Sequence, residues 1–323
     1  MSGSAVLLAL KERWGEFVSG EELARACGVS RAAIWKRITQ LRLAGYEIEA
    51  STRLGYRLVS VPDLLLPEEL AWNIDAAIVG RRVIHFDEIG STNEEAKSLA
   101  VRGAEDGTVV VAEVQTGGRG RLGRGWFSPR GGIWLSLVLR PQIAPADSPK
   151  VMMLAALSVI AALRTVGVLA EIKWPNDIVV RGKKIAGILT EVAGQPEVVD
   201  HVVVGIGINV NIHQDEFLVD LLPSATSVCL EVGGDVDRVS LARSVLREID
   251  SRYRELVEGR LDDILSEWRS ACSTLGRSIG LRTGSGDVRG RAVDVDERGS
   301  LILEAENGSR RAFAAGEVTI IKE

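Results

Sequence analysis

A segment rich in glycine and arginine, residues 109–140, constrains this chain more than any other feature. Four arginines stand among its seven glycines: Arg119, Arg121, Arg124 and Arg130. No Asp or Glu occurs between Glu113 and Asp147. Glycines expose backbone N–H groups and let the chain bend, and arginines offer forked donors to phosphate oxygens. The segment predicts a mobile loop that closes on an anion, and a flexible basic loop without a ligand is the alternative.

The letters from Gly118 to Gly123 also satisfy the glycine fingerprint of dinucleotide-binding folds. That fingerprint requires a strand before it and a helix directly after it. Residues 108–114 are β-branched and apolar and predict the strand, but a loop and a second β-type run at 133–139 follow. A dinucleotide-binding fold is therefore not expected.

Length and composition indicate a globular protein with a large core. Of its 323 residues 46% are hydrophobic, which suffices for two or three domains. The net charge of −5 means that any nucleic-acid contact must come from a local patch. The longest apolar segment, 151–163, falls short of the ~20 residues that cross a bilayer and predicts a buried helix. The apolar run 5–10 is too short for a signal peptide, so we expect a cytoplasmic protein without a membrane partner.

Two further chemistries are not expected. Cys27, Cys229 and Cys272 stand far apart, without a Cys-x-x-Cys pair or a histidine at ligand spacing, so neither disulfides nor zinc are predicted. A P-loop ATPase is excluded because the motif GxxxxGK[ST] does not occur.

Residues 1–62 predict a winged helix-turn-helix. Apolar residues mark a first helix: Leu7, Leu8, Leu10 and Trp14. Residues 20–26 form a second helix, Gly28 lies in a tight turn, and Ser30 is a good N-cap for a third. In that third helix apolar residues recur at helical spacing: Ala33, Ile34, Ile38 and Leu41. Alternating residues 46–50 and 56–58 flank a turn and predict the hairpin called the wing.

Positive charge is concentrated in this unit. Between Arg31 and Arg57 six basic and two acidic residues give 6 − 2 = +4. Phosphate neutralisation requires such a local excess, so DNA binding is expected. The candidate DNA contacts are Ser30, Arg31, Trp35, Lys36, Arg37 and Arg53. A winged helix that packs in a dimer, with its polar residues merely solvated, is the alternative.

Two more domains are predicted after the winged helix. Residues 63–272 alternate strands with helical segments at 92–102, 149–166, 240–258 and 261–271. Strands at 178–181 and 184–192 are joined by a short turn, and such antiparallel hairpins among helices indicate an α+β fold. Residues 273–323 hold short alternating strands broken by glycine turns, which predict a small β-barrel.

The middle domain carries a second group of polar residues. Asn176 and Asp177 can hold a metal or a polar ligand, and Lys184 follows in the next strand. By strict alternation Lys184 shares a strand face with Ala186, where a lysine is poorly solvated unless an anion meets it. An exposed hairpin lysine is the alternative, which we favour for Lys183, and an ordinary turn carboxylate is the alternative for Asp177.

Two further features are ambiguous when they are taken singly. Gly205 and Gly207 interrupt a strand, where glycine usually marks the close approach of a ligand or another backbone, although a bulge would look similar. Ser91, Thr92 and Asn93 precede a helical run and could cradle a polar ligand, but an N-cap is the better interpretation of these three alone.

Together the motifs are far more specific than any one of them. In order they are Ser-Thr-Asn at 91–93, Glu-Val-Gln-Thr-Gly-Gly-Arg-Gly-Arg at 113–121, Lys-Trp-Pro-Asn-Asp at 173–177, Lys-Ile-Ala-Gly-Ile-Leu at 184–189 and Gly-Ile-Gly-Ile-Asn at 205–209. This series closely resembles the biotin protein ligases. With the winged helix ahead of it, the whole chain resembles the bifunctional biotin ligases and biotin operon repressors.

The resemblance implies a fold and a reaction. The fold is α+β: a winged helix-turn-helix, a central mixed sheet similar to that of class II aminoacyl-tRNA synthetases, and a C-terminal SH3-like β-barrel. The reaction uses biotin, ATP and Mg²⁺ to form biotinyl-5′-adenylate, from which a lysine of biotin carboxyl carrier protein takes the biotin. The carrier, operator DNA and a second copy of the chain are the implied partners, the homodimer forming on adenylate binding.

The resemblance also implies residue roles. The catalytic residues would be Lys184, Arg119 and Arg121. Biotin would contact Ser91, Thr92, Asn93, Gln115, Gly118, Arg119, Gly120, Arg121, Lys184, Gly187 and Gly207. The nucleotide would contact Arg121, Arg124, Trp126, Asn176, Lys184 and Asn209, with Asp177 near the metal. Leu122 departs from the most basic loops of the family, which carry another arginine there, and is expected to weaken phosphate retention.

Two other functions stay open. One is a DNA regulator that binds an effector without catalysis. The presence of Lys184, Arg119 and Arg121 argues against it. The other is a lipoate ligase, which would not be expected to begin with a winged helix.

Overall fold

The computed structural model describes residues 3–195, 197–260, 263–284 and 286–321. The chain divides into two compact units, Met1–Leu64 and Leu65–Glu323. The predicted division into three domains at residues 62 and 272 stays a prediction.

The first unit is a helix-turn-helix with a two-stranded wing. Its elements are α1 (Gly3–Glu12), α2 (Gly20–Cys27), α3 (Arg31–Leu43), β1 (Glu47–Ser51) and β2 (Gly55–Ser60). Gly28 ends α2 at a φ of 64°, the left-handed conformation that glycine adopts without strain. The Ser30 hydroxyl accepts the Ala33 N–H at 3.2 Å and begins α3, as predicted. Trp14, expected in the first helix, lies beyond its last residue.

The second unit is built on a seven-stranded sheet of order β3-β4-β5-β9-β8-β7-β6. Its strands are β3 (Val83–Ile89), β4 (Thr108–Gln115), β5 (Ile133–Leu139), β6 (Glu171–Lys173), β7 (Asp177–Val180), β8 (Lys183–Gly194) and β9 (Val199–Ile208). β3 and β4 pair in parallel, and the other neighbours are antiparallel. Only a three-residue 3-10 turn, Arg121–Gly123, lies in the fully described stretch between β4 and β5. The mixed sheet is therefore confirmed, and no dinucleotide-type helix follows the glycines.

Helices cover both faces of this sheet. They are α4 (Pro67–Leu70), α5 (Thr92–Val101), α6 (Pro149–Thr165), α7 (Val228–Val232), α8 (Arg238–Val257) and α9 (Ile264–Ala271). Val109 and Val111 of β4 join the large core with α6 and α8, whereas Val110 packs on Ala96 and Ala100 of α5. The start of α5 lies next to the carboxyl end of β4, since the Thr92 N–H donates to Gln115 Oε1, and the candidate site lies there.

The four helices predicted for this region are confirmed, with small differences at their ends. α9 begins at Ile264 in the described residues, and the predicted positions 261–262 lie outside them. The short α4 and α7 were not predicted. The segment Pro145–Thr165, which ends with α6, is long and apolar enough by composition to cross a membrane, but eleven residues of α6 are buried, as the sequence predicts.

A second sheet completes the unit. It has five antiparallel strands in the order β13-β12-β11-β10-β14: β10 (Ser278–Thr283), β11 (Gly286–Val295), β12 (Leu301–Glu304), β13 (Arg310–Phe313) and β14 (Glu317–Ile320). Its buried Leu281 and Val295 belong to the same core as the large sheet. Trp174 links the two sheets by donating its indole N–H to the Gly299 carbonyl at 2.9 Å. The small C-terminal β domain is confirmed, and its closure into a barrel stays a prediction.

Candidate active site

One cavity of about 190 Å³ brings the separate motifs of the second unit together. Its walls include most of the predicted site residues: Ser91, Thr92, Asn93, Gln115, Arg119, Gly120, Arg121, Arg124, Trp126, Asn176, Asp177, Lys184, Gly187 and Gly207. Two predicted residues, Gly118 and Asn209, do not line it. Lys173 and Ile188, which belong to the quoted motifs but were given no role, also line it, as does Glu317, which no motif contains.

A hydrogen-bonded polar network forms one end of the cavity. Gln115 accepts the Thr92 N–H at 2.8 Å and the Thr92 hydroxyl at 3.0 Å through Oε1. Its Nε2 donates to the Ser128 hydroxyl at 2.9 Å. The buried Ser136, which no motif indicated, donates to Asn93 Oδ1 at 2.6 Å. Each side chain is therefore held in one orientation.

Ser91 is the exception in this network. It occupies the N-cap position of α5, but its side chain makes no capping hydrogen bond. The hydroxyl is buried and has no partner among the described residues. The interpretation of Ser91 as a capping side chain is therefore wrong. Buried polar atoms almost always have a partner, so this hydroxyl indicates a polar ligand.

Other side chains pack so closely against the two glycines of β9 that no Cβ would fit at either position. A Cβ at Gly205 would lie 2.1 Å from Asn93 Oδ1, and a Cβ at Gly207 would lie 2.5 Å from Trp126 Nε1. The β9 register with β5 and β8 has no irregularity at either glycine. Close approach, not a bulge, therefore explains the glycines, and the approaching atoms belong to the site itself.

Lys184 reaches the cavity because of a bulge in β8. Lys184 pairs with Val179 while Ala186 pairs with Ile178, so the register skips one residue of β8. Adjacent residues of a strand point to opposite faces, so Lys184 and Ala186 lie on opposite faces. The prediction that they share a face is wrong. Lys184 Nζ instead lies 2.6 Å from Asp177 Oδ1 and 4.7 Å from the centre of the Trp126 ring.

Tertiary structure supplies the arginine loop with partners that its own sequence lacks. Arg119 Nη1 lies 2.9 Å from Glu94 Oε1, and Arg124 forms two hydrogen bonds of 2.8 and 2.6 Å with Glu317 of β14. The side chains of these four residues are at least 40% exposed, which limits what each pair contributes to stability. The pairs therefore hold the loop loosely over the cavity.

Arg121 differs from the other arginines of the loop. It is half-buried and donates to Asn176 Oδ1 at 3.1 Å, without a carboxylate in ion-pair distance among the described residues. Burial lowers the pKa of its guanidinium, whereas the nearby Asp177 charge acts in the opposite direction. An anionic ligand would therefore stabilise the Arg121 guanidinium more than it would a solvated arginine.

The two predicted residues outside the cavity lie just behind its wall. Asn209 is buried and donates through Nδ2 to the Thr226 carbonyl at 3.0 Å. Gly118 packs against the Trp126 carbonyl, which a Cβ would approach to 2.5 Å. The direct ligand contacts predicted for both residues stay predictions.

The first unit has its own candidate site, the surface of α3 and the wing. Arg42 Nε donates to the Ile48 carbonyl at 2.9 Å, and Arg57 pairs with Glu49. Arg42 joins α3 to β1, and Arg57 links the two strands of the hairpin. The other basic residues have no carboxylate in ion-pair distance among the described residues: Arg31, Lys36, Arg37 and Arg53. Trp35 stands on α3 with 63% of its surface exposed.

The two units and their sites thus define a winged helix-turn-helix joined to a domain with a pocket for a polar and anionic ligand. Residues 4–57 match the HTH domain family, residues 86–209 the biotin/lipoate A/B protein ligase family, and residues 274–320 the biotin protein ligase C-terminal domain.

Named relatives agree with these matches. The chain is 40% identical to the bifunctional ligase/repressor BirA of Bacillus spizizenii over 93% of both chains. It is 31% identical to the bifunctional ligase/repressor BirA of Escherichia coli, over 95% of this chain and 94% of that one. The biotin protein ligase of Aquifex aeolicus, solved with biotin and ATP, superposes with a TM-score of 0.64 at 31% identity, over 75% of this chain and 100% of that one. The chain belongs to the family of bifunctional biotin ligase/repressors.

Proposed function

We propose that this protein uses ATP to join biotin to a lysine of a biotin carboxyl carrier protein, and that it represses transcription from a biotin-responsive operator. The observation that carries the ligase activity is the composition of one cavity. A polar network with an unpartnered buried hydroxyl lies at one end, and Lys184 with Arg121 lies at the other. Such a cavity suits a substrate with a neutral polar ring and a distant carboxylate.

Biotin fits this description at both ends. The ureido ring offers N–H donors and a carbonyl acceptor, which Ser91, Thr92, Asn93 and Gln115 can satisfy. The apolar stretch of biotin would pass the ring of Trp126, which packs directly on Gly187 and Gly207 because neither glycine has a side chain. Its carboxylate would then reach Lys184.

The first step places charge where the cations lie. A carboxylate oxygen of biotin bonds to the α-phosphorus of ATP, and the bond from that phosphorus to the bridging oxygen of pyrophosphate breaks. Phosphoryl transfer depends on positioning and on cations near the developing charge. Lys184 would stabilise that charge, and it must exchange its ion pair with Asp177 for the substrate.

The arginine loop would close over the intermediate. Arg119 and Arg124 are held by exposed ion pairs with Glu94 and Glu317, which typically contribute only ~0–1 kcal/mol. A phosphate can replace such a carboxylate at little cost. Arg121, already desolvated, would contact the α-phosphate directly.

Mg²⁺ fits the donor set only in part. Magnesium prefers oxygen ligands and is usually held by one or two carboxylates together with substrate phosphates. Asp177 supplies one carboxylate at the rim of the cavity, so the phosphates of ATP would complete the coordination. The ion would neutralise charge on the pyrophosphate.

In the second step the ε-amine of the carrier lysine attacks the carbonyl carbon of the adenylate, and AMP leaves with the bonding electrons. The protein contributes by keeping the mixed anhydride away from water until the carrier arrives. We further propose a cytoplasmic location and a homodimer that forms when the adenylate binds and that presents two winged helices to operator DNA.

A comparison of Lys184→Ala with Lys183→Ala tests the ligase proposal. Lys184 faces the cavity and Lys183, its neighbour in β8, is exposed. Loss of one such stabilising group typically lowers the rate ~100- to 1000-fold, so we expect that loss for Lys184→Ala and a normal rate for Lys183→Ala. The measurement is biotin-dependent release of pyrophosphate, with lipoate as a parallel substrate. Release with lipoate alone would show a lipoate ligase, and no release with either would leave a regulator without catalysis.

A further inference from the structure

Three potential metal ligands meet outside the ligase cavity. The side-chain ligand atoms of His213, Cys229 and Asp235 all lie within 4.8 Å of one another. His213 Nε2 is 3.2 Å from Asp235 Oδ1. We propose that these residues form a binding site for Zn²⁺ or a divalent transition metal of similar preference, a function that is separate from the ligase activity.

The donor set selects this class of metal. It combines an imidazole nitrogen, a sulfur and a carboxylate oxygen, all three of which are ligands of zinc. Magnesium and calcium take oxygen ligands and have little affinity for sulfur. Three protein ligands leave a fourth tetrahedral position for water or for another side chain.

The geometry requires only a small adjustment. Ligand bonds of ~2.0–2.3 Å at tetrahedral angles put ligand atoms ~3.3–3.8 Å apart. The widest separation of 4.8 Å must therefore close by about an ångström. His213 and Asp235 are each more than half exposed and can move, while the buried Cys229 stays in place.

The surroundings of Cys229 suit a metal-bound sulfur. Its thiol donates to the Ile212 carbonyl at 3.4 Å, and its Sγ lies 3.3 Å from the Ser227 hydroxyl, which itself donates to the Ile212 carbonyl at 2.7 Å. When the metal–sulfur bond forms, the thiol proton leaves to solvent, and the Ser227 hydroxyl can turn from the Ile212 carbonyl to donate to the thiolate. Hydrogen bonds from the second layer orient ligands in this way. Without a metal, the same thiol is a small buried apolar group.

The position of the site gives the metal a structural role. His213 and Cys229 bracket the segment 213–229, and Phe217 of this segment packs with Trp134. Trp126, which lines the ligase cavity, packs on the same cluster. A metal that joins both ends of the segment would hold in place the hydrophobic cluster on which Trp126 packs. We expect bound Zn²⁺ to protect this segment from proteolysis.

The test uses untagged, full-length protein from which metals have been removed by a chelator. Cobalt(II) is the first probe, because a bond from cobalt to a thiolate gives a charge-transfer band in the near ultraviolet. Zn²⁺ is then titrated against a chromophoric chelator in excess Mg²⁺. We expect one equivalent of each metal per chain and displacement of cobalt by zinc.

Matched variants separate this site from the other cysteines and histidines. His213→Gln and Asp235→Asn change exposed side chains and leave the fold intact. Each should weaken zinc binding by ~10- to 100-fold or more. Mutation of a residue that only hydrogen-bonds to a metal ligand already causes a loss of that size. Cys229→Ser should abolish the cobalt band. The control variants Cys27→Ser, His201→Gln and Asp177→Asn should bind zinc and cobalt with the affinity of the parent protein.

Absence of a saturable one-to-one cobalt band would overturn the proposal. Zinc affinity that is unchanged in both His213→Gln and Asp235→Asn would overturn it too, even if Cys229→Ser failed to fold. None of these readouts depends on biotin or ATP, so failure of the ligase proposal and failure of the metal proposal are distinguishable.

Discussion

Single atoms decide the shape of the ligase cavity. Gly207 has room for a hydrogen and not for a methyl group, because the Trp126 indole nitrogen would lie 2.5 Å from its Cβ. Trp126 in turn lies under the Lys184 ammonium group, 4.7 Å from the ring centre. A change at one residue of this stack therefore displaces the others.

We expect Gly207→Ala to lower the rate of biotin-dependent pyrophosphate release at least ~100-fold, since a shift of about 1 Å in a positioned group typically has that effect. The protein should stay folded, because the indole can move towards the cavity. Gly234→Ala is the control, as nothing lies within 4 Å of its Cβ and its φ is ordinary. Equal rates in the two variants would show that Trp126 does not position the substrate.

At the scale of elements, the loop between β4 and β5 is held by side chains from distant parts of the second unit. Glu94 comes from α5, Glu317 from β14 and Asp87 from β3, and each pairs with one arginine of the loop. Arg121 alone turns inwards, to Asn176. The loop thus has exposed attachments that open readily and one internal cation that meets the ligand.

We expect Arg121→Gly to form the adenylate but to release it early, because the loop loses its phosphate contact and a further glycine raises the entropy lost on closing. Released adenylate would biotinylate lysines of bystander proteins. The measurement is the retention half-life of labelled adenylate, together with labelling of an added unrelated protein. Arg130→Gly is the control, since Arg130 pairs with Asp87 outside the cavity. Unchanged retention in Arg121→Gly would remove this arginine from the clamp.

At the scale of the whole molecule, a buried ion pair connects the start of the second unit with the arginine loop. Arg238 Nη2 lies 2.7 Å from Glu113 Oε2, and both side chains are at most 1% exposed. Arg238 also donates to the Gly132 carbonyl at the end of the loop, at 2.9 Å. Glu113 Oε1 accepts the Leu65 N–H at 2.8 Å and lies 3.0 Å from His85 Nε2.

Glu113→Gln should lower the free energy of unfolding of the second unit by about 3–5 kcal/mol at neutral pH, because Arg238 would keep a buried charge without a partner. Burial by itself raises the pKa of Glu113, but hydrogen bonds from His85 and Leu65 and the Arg238 charge outweigh it, and the net pKa is lowered. The ion pair therefore stabilises the folded protein at pH values above ~4.3, the pKa of a glutamate carboxyl in the unfolded chain. This stabilisation is lost as the pH falls through the lower pKa that Glu113 has in the folded protein.

Urea denaturation from pH 7 down to pH 3 measures this effect. The stability difference between parent and Glu113→Gln should be largest near pH 7 and shrink below about pH 4. The exposed Glu88→Gln serves as the control and should match the parent. A difference that is independent of pH would mean that the charge of Glu113 does not contribute.

The adenylate should also change the association of whole chains. If the arginine loop orders around the adenylate, binding creates surface that a second copy can contact, and local folding is coupled to dimerisation. Two winged helices would then meet half-sites about one helical turn, or a multiple of it, apart. Operator affinity should therefore rise with biotin plus ATP and fall when unbiotinylated carrier consumes the adenylate.

Sedimentation and operator titrations at fixed salt, with and without adenylate, measure this coupling, because phosphate contacts depend on salt. Arg37→Ala on α3 should weaken operator binding and leave dimerisation unchanged. Equal oligomeric state and equal operator affinity in both conditions would contradict the proposed regulation.

Elements that depend on near neighbours could be predicted from the sequence. The cap at Ser30, the turn at Gly28, the hairpin around Gly182 and the strands on either side of the arginine loop all follow from local spacing and backbone preference. The site motifs were also recognisable in sequence, since their order along the chain is specific even where each one alone is not.

Contacts between distant parts of the chain could not be predicted from the sequence. The bulge that turns Lys184 towards Asp177, the missing cap at Ser91, the carboxylates that hold the arginines and the cluster around Cys229 all join distant positions. Arg124 and Glu317, for example, are 193 residues apart. Such contacts leave no periodic signal in the sequence, because they depend on how sheets and helices pack and not on the residues next to them in the chain.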